Sequence, residues 1–238
     1  MGNRRWKCFS SVCRETDLWI AVDAESYSDA AINYTSERIR YYRNILEKYI
    51  RSHPEFRDSF VPVEAVKTAH RIIREMSGAA RIAGTGPMSA VAGAIAEFIC
   101  EDLCKEIGAS DVIIENGGDI FLKLTEQATI SVYAGDSPLS EKISLIIKPE
   151  DTPLSVCTSS GTTGHSLSFG MADACTIACH SGALADAYAT AFCNEIKNKD
   201  MILEITEKAL QKPDIISVVI IMNDKVGLGG KLTVDLHS

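Results

Sequence analysis

Glu115-Asn116-Gly117-Gly118-Asp119-Ile120-Phe121 is the stretch on which the fold turns. Val112–Ile114 before it and Ile120–Leu124 after it are short apolar runs of strand composition. Asn-Gly-Gly between two such runs is a strong hairpin signal, because the turns that join antiparallel strands tightly need positive φ, which glycine reaches without strain. Asp119 is placed to cap that turn. The same two bare glycines would also let a flat or phosphorylated ligand lie against the backbone.

Strand-like runs continue beyond the hairpin at Thr129–Tyr133, Ile143–Ile147 and Leu154–Cys157, separated by polar turns. A helix is then expected from about Ala183 to Ile196 and another from Met201 to Leu210. Strand Ile215–Met222, a turn at Asn223-Asp224 and a closing Gly-rich strand near Lys231–Val234 finish the chain.

Working back toward the N-terminus, a helix from about Ser89 to Ile107 ends at Gly108. Its first half, Ala90 to Ala96, has almost no bulk, so something packs very closely against it. A helix before it starts near Pro62, carries Val66, Ala69, Ile73 and Met76 on one face, and stops at Gly78. Ile32, Ile39, Tyr42, Leu46 and Tyr49 keep helical spacing in a long amphipathic helix from about Ser26 to Ser52, closed by Pro54. Residues 6–23 read as two short strands around Arg14-Glu15-Thr16-Asp17. This order has no regular βαβ alternation, which indicates an α+β fold rather than a doubly wound parallel sheet. With no internal repeat and no linker, residues 1–238 read as one domain.

The 238 residues are 46% hydrophobic with a net charge of −8, a balance that argues against non-specific nucleic-acid binding or an anionic membrane surface as partner. No apolar run approaches the roughly 20 residues that span a bilayer. The first residues, Met1 to Trp6, carry positive charge with no apolar core behind it, and Trp6 stands where a myristoylation signal wants Ser or Thr. The expected location is the cytoplasm. Eight cysteines occur without a Cys-x-x-Cys pair. Cys100 and Cys104 share a helix face, and Cys175 and Cys179 share a strand face. A metal or cluster site could be built from such pairs, but buried reduced thiols acting as small apolar residues is the simpler reading. Either reading implies a reducing compartment.

Four segments could carry chemistry. Ala83-Gly84-Thr85-Gly86-Pro87 leads into a helix, where free N–H groups attract anions, yet it is neither a Walker A loop nor the dinucleotide fingerprint. The Gly117-Gly118-Asp119 hairpin is the second. Thr158-Ser159-Ser160-Gly161-Thr162-Thr163-Gly164-His165-Ser166 is the third; its hydroxyls and backbone N–H groups could hold phosphate oxygens, and His165 could exchange protons near neutral pH. In the fourth, Ser181 is an N-cap and Asp186 and Thr190 lie one turn apart on one helix face. Carboxylate plus hydroxyl suits Mg²⁺, which keeps waters and phosphates as its other ligands. An aspartate early in a helix also simply complements its dipole.

Taken in order, the Gly-rich loop and small-residue helix, Asn116-Gly117-Gly118-Asp119-Ile120, the Thr158-Ser159-Ser160-Gly161 strand end and Ala185-Asp186-Ala187-x-x-Thr190 resemble the ApbE-like flavin transferase superfamily. The likeness is stronger to its branch common in methanogenic archaea and anaerobic bacteria, and covers roughly residues 80–195. It implies mixed or antiparallel sheets packed against helices, with a central ligand cleft for FAD. It further implies Mg²⁺ at the FAD pyrophosphate, and either FMN transfer to a threonine of a protein acceptor or hydrolysis of FAD to FMN and AMP. On this resemblance Asp186 and Thr190 would be metal ligands, and His165 and Asp186 the catalytic candidates. Gly117, Gly118, Asp119, Thr158, Ser159, Ser160 and Gly161 would line the nucleotide pocket.

Departures from the family pattern are specific. His165 stands alone where the transferases pair two histidines, Ser168 replaces an aspartate, and Val91-Ala92-Gly93 lacks the family's lysine. A binder of flavin or nucleotide without chemistry, or of a different anionic ligand, is the alternative expectation. Pairing of two copies through exposed strands or helix faces is also compatible with the resemblance.

Overall fold

In the computed structural model, which describes residues 5–162 and 169–237, the Asn-Gly-Gly-Asp turn joins β3 (Val112–Asn116) to β4 (Asp119–Lys123), with Asn116 opposite Asp119. Gly117 and Gly118 have φ of 64° and 99°, the left-handed values that a two-residue turn between right-twisted strands requires. Around this hairpin the sheet grows by antiparallel pairing alone. β2 (Thr16–Asp23) and β1 (Trp6–Cys13) extend it on one side. On the other side lie β7 (Leu154–Ser159), β8 (Ala174–Cys179), β9 (Ser217–Met222) and β10 (Lys225–Gly230). A smaller sheet contains β5 (Ala128–Ser131), β6 (Ile143–Ile147) and β11 (Thr233–Leu236), with β6 in the middle.

Strand alternation divides the side chains between two cores. Phe121, Cys157, Cys175 and Ile177 face the helices, while Leu122, Val156, Ala178 and Ile221 face the small sheet. The helix layer comprises α1 (Asp29–Ser52), α2 (Glu55–Asp58), α3 (Arg71–Ala83), α4 (Val91–Asp102), α5 (Gly182–Glu195) and α6 (Ile202–Leu210). α5 is buried continuously from Gly182 to Ala189, as befits a helix that is small and apolar almost all round. The chain is therefore α+β, as its element order indicates.

Two elements depart from expectation. The helix expected from Pro62 begins at Arg71, capped by His70, whose Nδ1 accepts from the Ile72 N–H at 3.3 Å. Residues before it run alongside α3 instead: Ser77 Oγ accepts from the Ala65 N–H at 2.9 Å and donates to the Val63 carbonyl at 2.7 Å. Gly78 lies inside that helix, and the left-handed Gly84 (φ 79°) ends it. At the C-terminus two strands, β10 and β11, replace the one expected.

Candidate functional site

α4 and α5 cross at a pair of glycines. A Cβ on Gly93 would lie 2.2 Å from the Gly182 carbonyl oxygen, and one on Gly182 would lie 2.3 Å from the Gly93 carbonyl oxygen. Any side chain at either position would separate the helices. This is the close packing that the bulk-free Ala90–Ala96 run demands.

The crossing sets the first turn of α4 against Asp186. The backbone N–H groups of Ala92 and Gly93 donate to Asp186 Oδ2 at 3.1 and 3.0 Å. These are N-terminal donors with no partner inside the helix, at the positive end of its dipole. Asn116 Nδ2 donates to the Ala92 carbonyl at 3.0 Å and ties the Gly-Gly hairpin to the same turn. Asp119, next after the hairpin, is buried on the helix-facing side of β4, opposite Cys157 in the register and close to the Thr158 N–H.

Both carboxyl groups are buried, and the Asp186 charge acts on Asp119. Burial pushes Asp186 up to about 7 against the pull of the Gly93 and Ala92 N–H groups. Burial first, and the Asp186 charge second, hold Asp119 well above the ordinary carboxylate range. The Cys157 thiol is raised by burial and then by both aspartates, so it stays protonated and donates to the Gly182 carbonyl at 3.8 Å. Farther along α4, Glu97 accepts from the Gly182 N–H at 2.7 Å, and burial pushes it up to about 7.

The structure brings together Gly117, Gly118, Asp119, the Thr158 backbone and Asp186. Gly118 approaches the Thr158 carbonyl, and Thr190 lies half-buried one turn beyond Asp186 on α5. The hydroxyl of Thr158 is placed elsewhere: it bonds Thr176 Oγ1 at 2.8 Å on the opposite face of the sheet from Cys157. Ser159 ends β7 beside Cys175. Beyond it the chain is closed against its return path, with the Gly161 N–H on the Ala172 carbonyl at 2.9 Å and Thr162 Oγ1 on Asp173 at 3.0 Å. The Ser160 hydroxyl accepts from the Thr162 N–H at 3.1 Å. His165 lies outside the described residues, as does Ser168.

The Gly84–Gly86 loop is used by the fold. Gly84 caps α3, Thr85 Oγ1 meets Ser89 Oγ at 2.7 Å, and a Cβ on Gly86 would fall 1.8 Å from the Ser59 carbonyl oxygen. The contributions of Cys157, Asn116 and the Ala92 and Gly93 N–H groups arise from long-range packing. Only the lack of bulk at 90–96 signalled a close approach in advance.

Among the described residues, no three His, Cys, Asp or Glu side chains are grouped to hold a metal ion by themselves. A cation here would therefore take part of its shell from hydroxyls, water or a ligand.

Helices packed on antiparallel sheets make this an α+β protein of the ApbE-like fold class. Residues 3–222 match the family described as AbpE bacteria, and the chain belongs to that family. UPF0280 protein MJ1526 of Methanocaldococcus jannaschii is 41% identical over 226 residues, covering 93% of this chain and 89% of the relative. A UPF0280 protein of Methanosarcina acetivorans is 39% identical, covering 92% of this chain and 85% of the relative. The fold is that of ApbE structures. The Thermotoga maritima ApbE protein superposes with a TM-score of 0.65 at 12% identity, covering 93% and 96% of the two chains. The apo flavinyl transferase ApbE of Pseudomonas stutzeri gives 0.56 at 10% identity, covering 96% of both.

Proposed function

We propose that this protein binds a flavin nucleotide, FAD or FMN, over the Gly117-Gly118 hairpin, with its phosphates directed toward Asp119 and Asp186. The observation that carries the reading is the buried pair of Asp119 and Asp186, with Asp186 held on the N-terminal N–H groups of α4 and raised by burial, and Asp119 raised by burial and then by the Asp186 charge. A diacid that resists ionising alone is relieved by a divalent cation. The donor set fits Mg²⁺: carboxylate and hydroxyl oxygen from Asp186 and Thr190, Asp119 close by, and too few protein ligands to close the shell. When bound, the ion supplies neutralisation of charge on a phosphoanhydride.

The chain's own residues have three tasks in this reading. Gly117 and Gly118 expose backbone to the nucleotide, Asn116 fixes the hairpin on α4, and the Ala92 and Gly93 N–H groups hold Asp186 in one orientation. The names of the structural neighbours, flavinyl transferase and flavin transferase, support chemistry on FAD. That chemistry would be FMN transfer to a protein acceptor or hydrolysis of FAD to FMN and AMP, with His165 as a proton carrier.

A second reading, flavin binding without chemistry, is favoured by one observation. Asp186 already accepts two helix N–H bonds and so serves as an anchor for α4. Incubation with FAD and Mg²⁺ separates the two. Release of FMN and AMP, or FMN attached to a threonine-containing acceptor peptide, supports chemistry; tight FAD binding with no product over hours supports the binder. Failure to bind FAD at all contradicts both.

A further inference from the structure

β10 is one edge of the large sheet: β9 pairs with it on one side, and among the described residues no element pairs with it on the other. The Lys231 N–H on the Ile216 carbonyl at 2.9 Å sets the phase of that ladder. Antiparallel pairing alternates, so Lys225, Gly227 and Gly229 turn their N–H and C=O groups to β9, and Val226 and Leu228 turn theirs outward. Sheet edges are normally blunted by proline, charge or a covering segment. The two residues that present this edge are instead apolar and exposed, on the sheet face opposite α6.

α6 adds apolar surface beyond the same edge. Ile202 and Thr206 lie over Gly227, and Leu210 lies over Gly229, each within 2.7 Å of where a Cβ would stand. From Ile202 to Thr206 to Leu210 the helix face turns by about 40° at each step, and Leu203 lies about 20° further round. That direction leads away from buried Ile205 and Ala209. Leu203, 67% exposed, and Leu210 therefore flank the open side of β10, with Glu207 next round the helix toward solvent.

We propose that two copies of this chain join at this edge, β10 pairing antiparallel with β10 of the second copy about a twofold axis through Gly227. The strand is complementary to itself in this register. Val226 stands opposite Leu228 of the second copy on both sides of the axis, so every outward N–H and C=O of these residues is used. The same two pairs give apolar cross-strand contacts on the exposed face. At each end Asp224 falls diagonally beside Lys231 of the second copy, opposite charges that no ion pair uses among the described residues. The helix layer fits as well. α6 packs across β9 and β10, so with strands about 4.8 Å apart the two α6 helices come to about 10 Å, an ordinary helix-packing distance. Leu203 and Leu210 fill the space between them.

Sedimentation equilibrium of the full-length protein over a wide micromolar range tests the pairing. Wild type should show twice the chain mass of 25.9 kDa. Leu228→Pro removes an N–H that has no strand partner within one chain, and should give a single chain mass with an unchanged circular dichroism spectrum. Leu203→Glu leaves the strand edge intact and should raise the dissociation constant about tenfold or more. Val12→Lys, on the opposite edge strand β1, should leave the dimer unchanged. Wild type at one chain mass throughout overturns the proposal. A dimer that survives both Leu228→Pro and Leu203→Glu, or that Val12→Lys abolishes, overturns it by placing the interface elsewhere. A mass that grows past two chains with concentration indicates head-to-tail pairing of β10 with β1, and overturns the twofold arrangement.

Discussion

Gly93→Ala and Gly78→Ala place the same methyl group on two helices, in the first turn of α4 and inside α3, and the structure assigns them opposite signs. Helix propensity alone favours alanine over glycine by about 1 kcal/mol at either site. At Gly78 a Cβ meets nothing within 4 Å, so that gain is kept and the variant is stabilised. At Gly93 the added Cβ falls 2.2 Å from the Gly182 carbonyl oxygen and 2.9 Å from Asp186 Cβ, and the first of these obstacles is backbone. An ordinary contact would require α4 and α5 to separate by about 1 Å, and overpacking of this kind costs roughly 1–3 kcal/mol or more. That separation would also stretch the two N–H bonds to Asp186, so a net loss of about 2 kcal/mol is expected after the propensity gain. For a chain of this size the melting temperature should fall by roughly 4–8 °C for Gly93→Ala and rise by roughly 1–4 °C for Gly78→Ala. Thermal denaturation read by circular dichroism, on both variants in one buffer, measures the contrast. A Gly93→Ala protein at least as stable as wild type would refute the glycine crossing and the seat it provides for Asp186.

Three further outcomes follow from the same geometry. Glu97 has its folded pKa raised from 4.5 to about 7, so the native state keeps a proton that the unfolded state releases. Stability should therefore fall, by on the order of 3 kcal/mol at most, as pH rises from about 4.5 to about 7; urea melts of wild type and Glu97→Gln should diverge across that window, and parallel curves would contradict the assignment. Asp119→Asn removes one of two repelling buried carboxyls while leaving an acceptor for the Thr158 N–H, so the cation-free protein should melt higher near pH 8, and a lower melting point would count against the diacid. Asn116→Ala deletes the 3.0 Å bond to the Ala92 carbonyl and should cost about 1–2 kcal/mol in urea denaturation, whereas no change would show that the hairpin is not pinned to α4.

How much of this was legible in the sequence depends on the range of the interaction involved. The turns at Arg14-Glu15 and Gly117-Gly118 were legible because a two-residue hairpin is written in adjacent residues, and Ser181 at the start of α5 is a local cap of the same kind. The start of α3 was misread because Val66 and Ala69 are in helical phase with Ile73 and Met76. Val66 is nonetheless exposed, in an extended segment held by Ser77. β10 was missed because Gly227 and Gly229 weaken its strand signal. Their absent side chains make room for Thr206, Ile202 and Leu210 of α6, a requirement visible only once that helix is packed. In the candidate site, Asp119 and Asp186 could be selected from motif order. Their meeting, the Cys157 bond and the helix N–H groups that hold Asp186 depend on a crossing of α4 and α5, segments separated by some 90 residues.

The measurement that bears most directly on the central claim is calorimetric titration of FAD into the purified protein, with and without Mg²⁺, for wild type and Asp186→Ala. The account predicts tight, Mg²⁺-dependent FAD binding by wild type, and loss of the Mg²⁺ dependence in a variant that remains folded by circular dichroism. Absence of FAD binding by wild type, or binding that is indifferent both to Mg²⁺ and to residue 186, would contradict it.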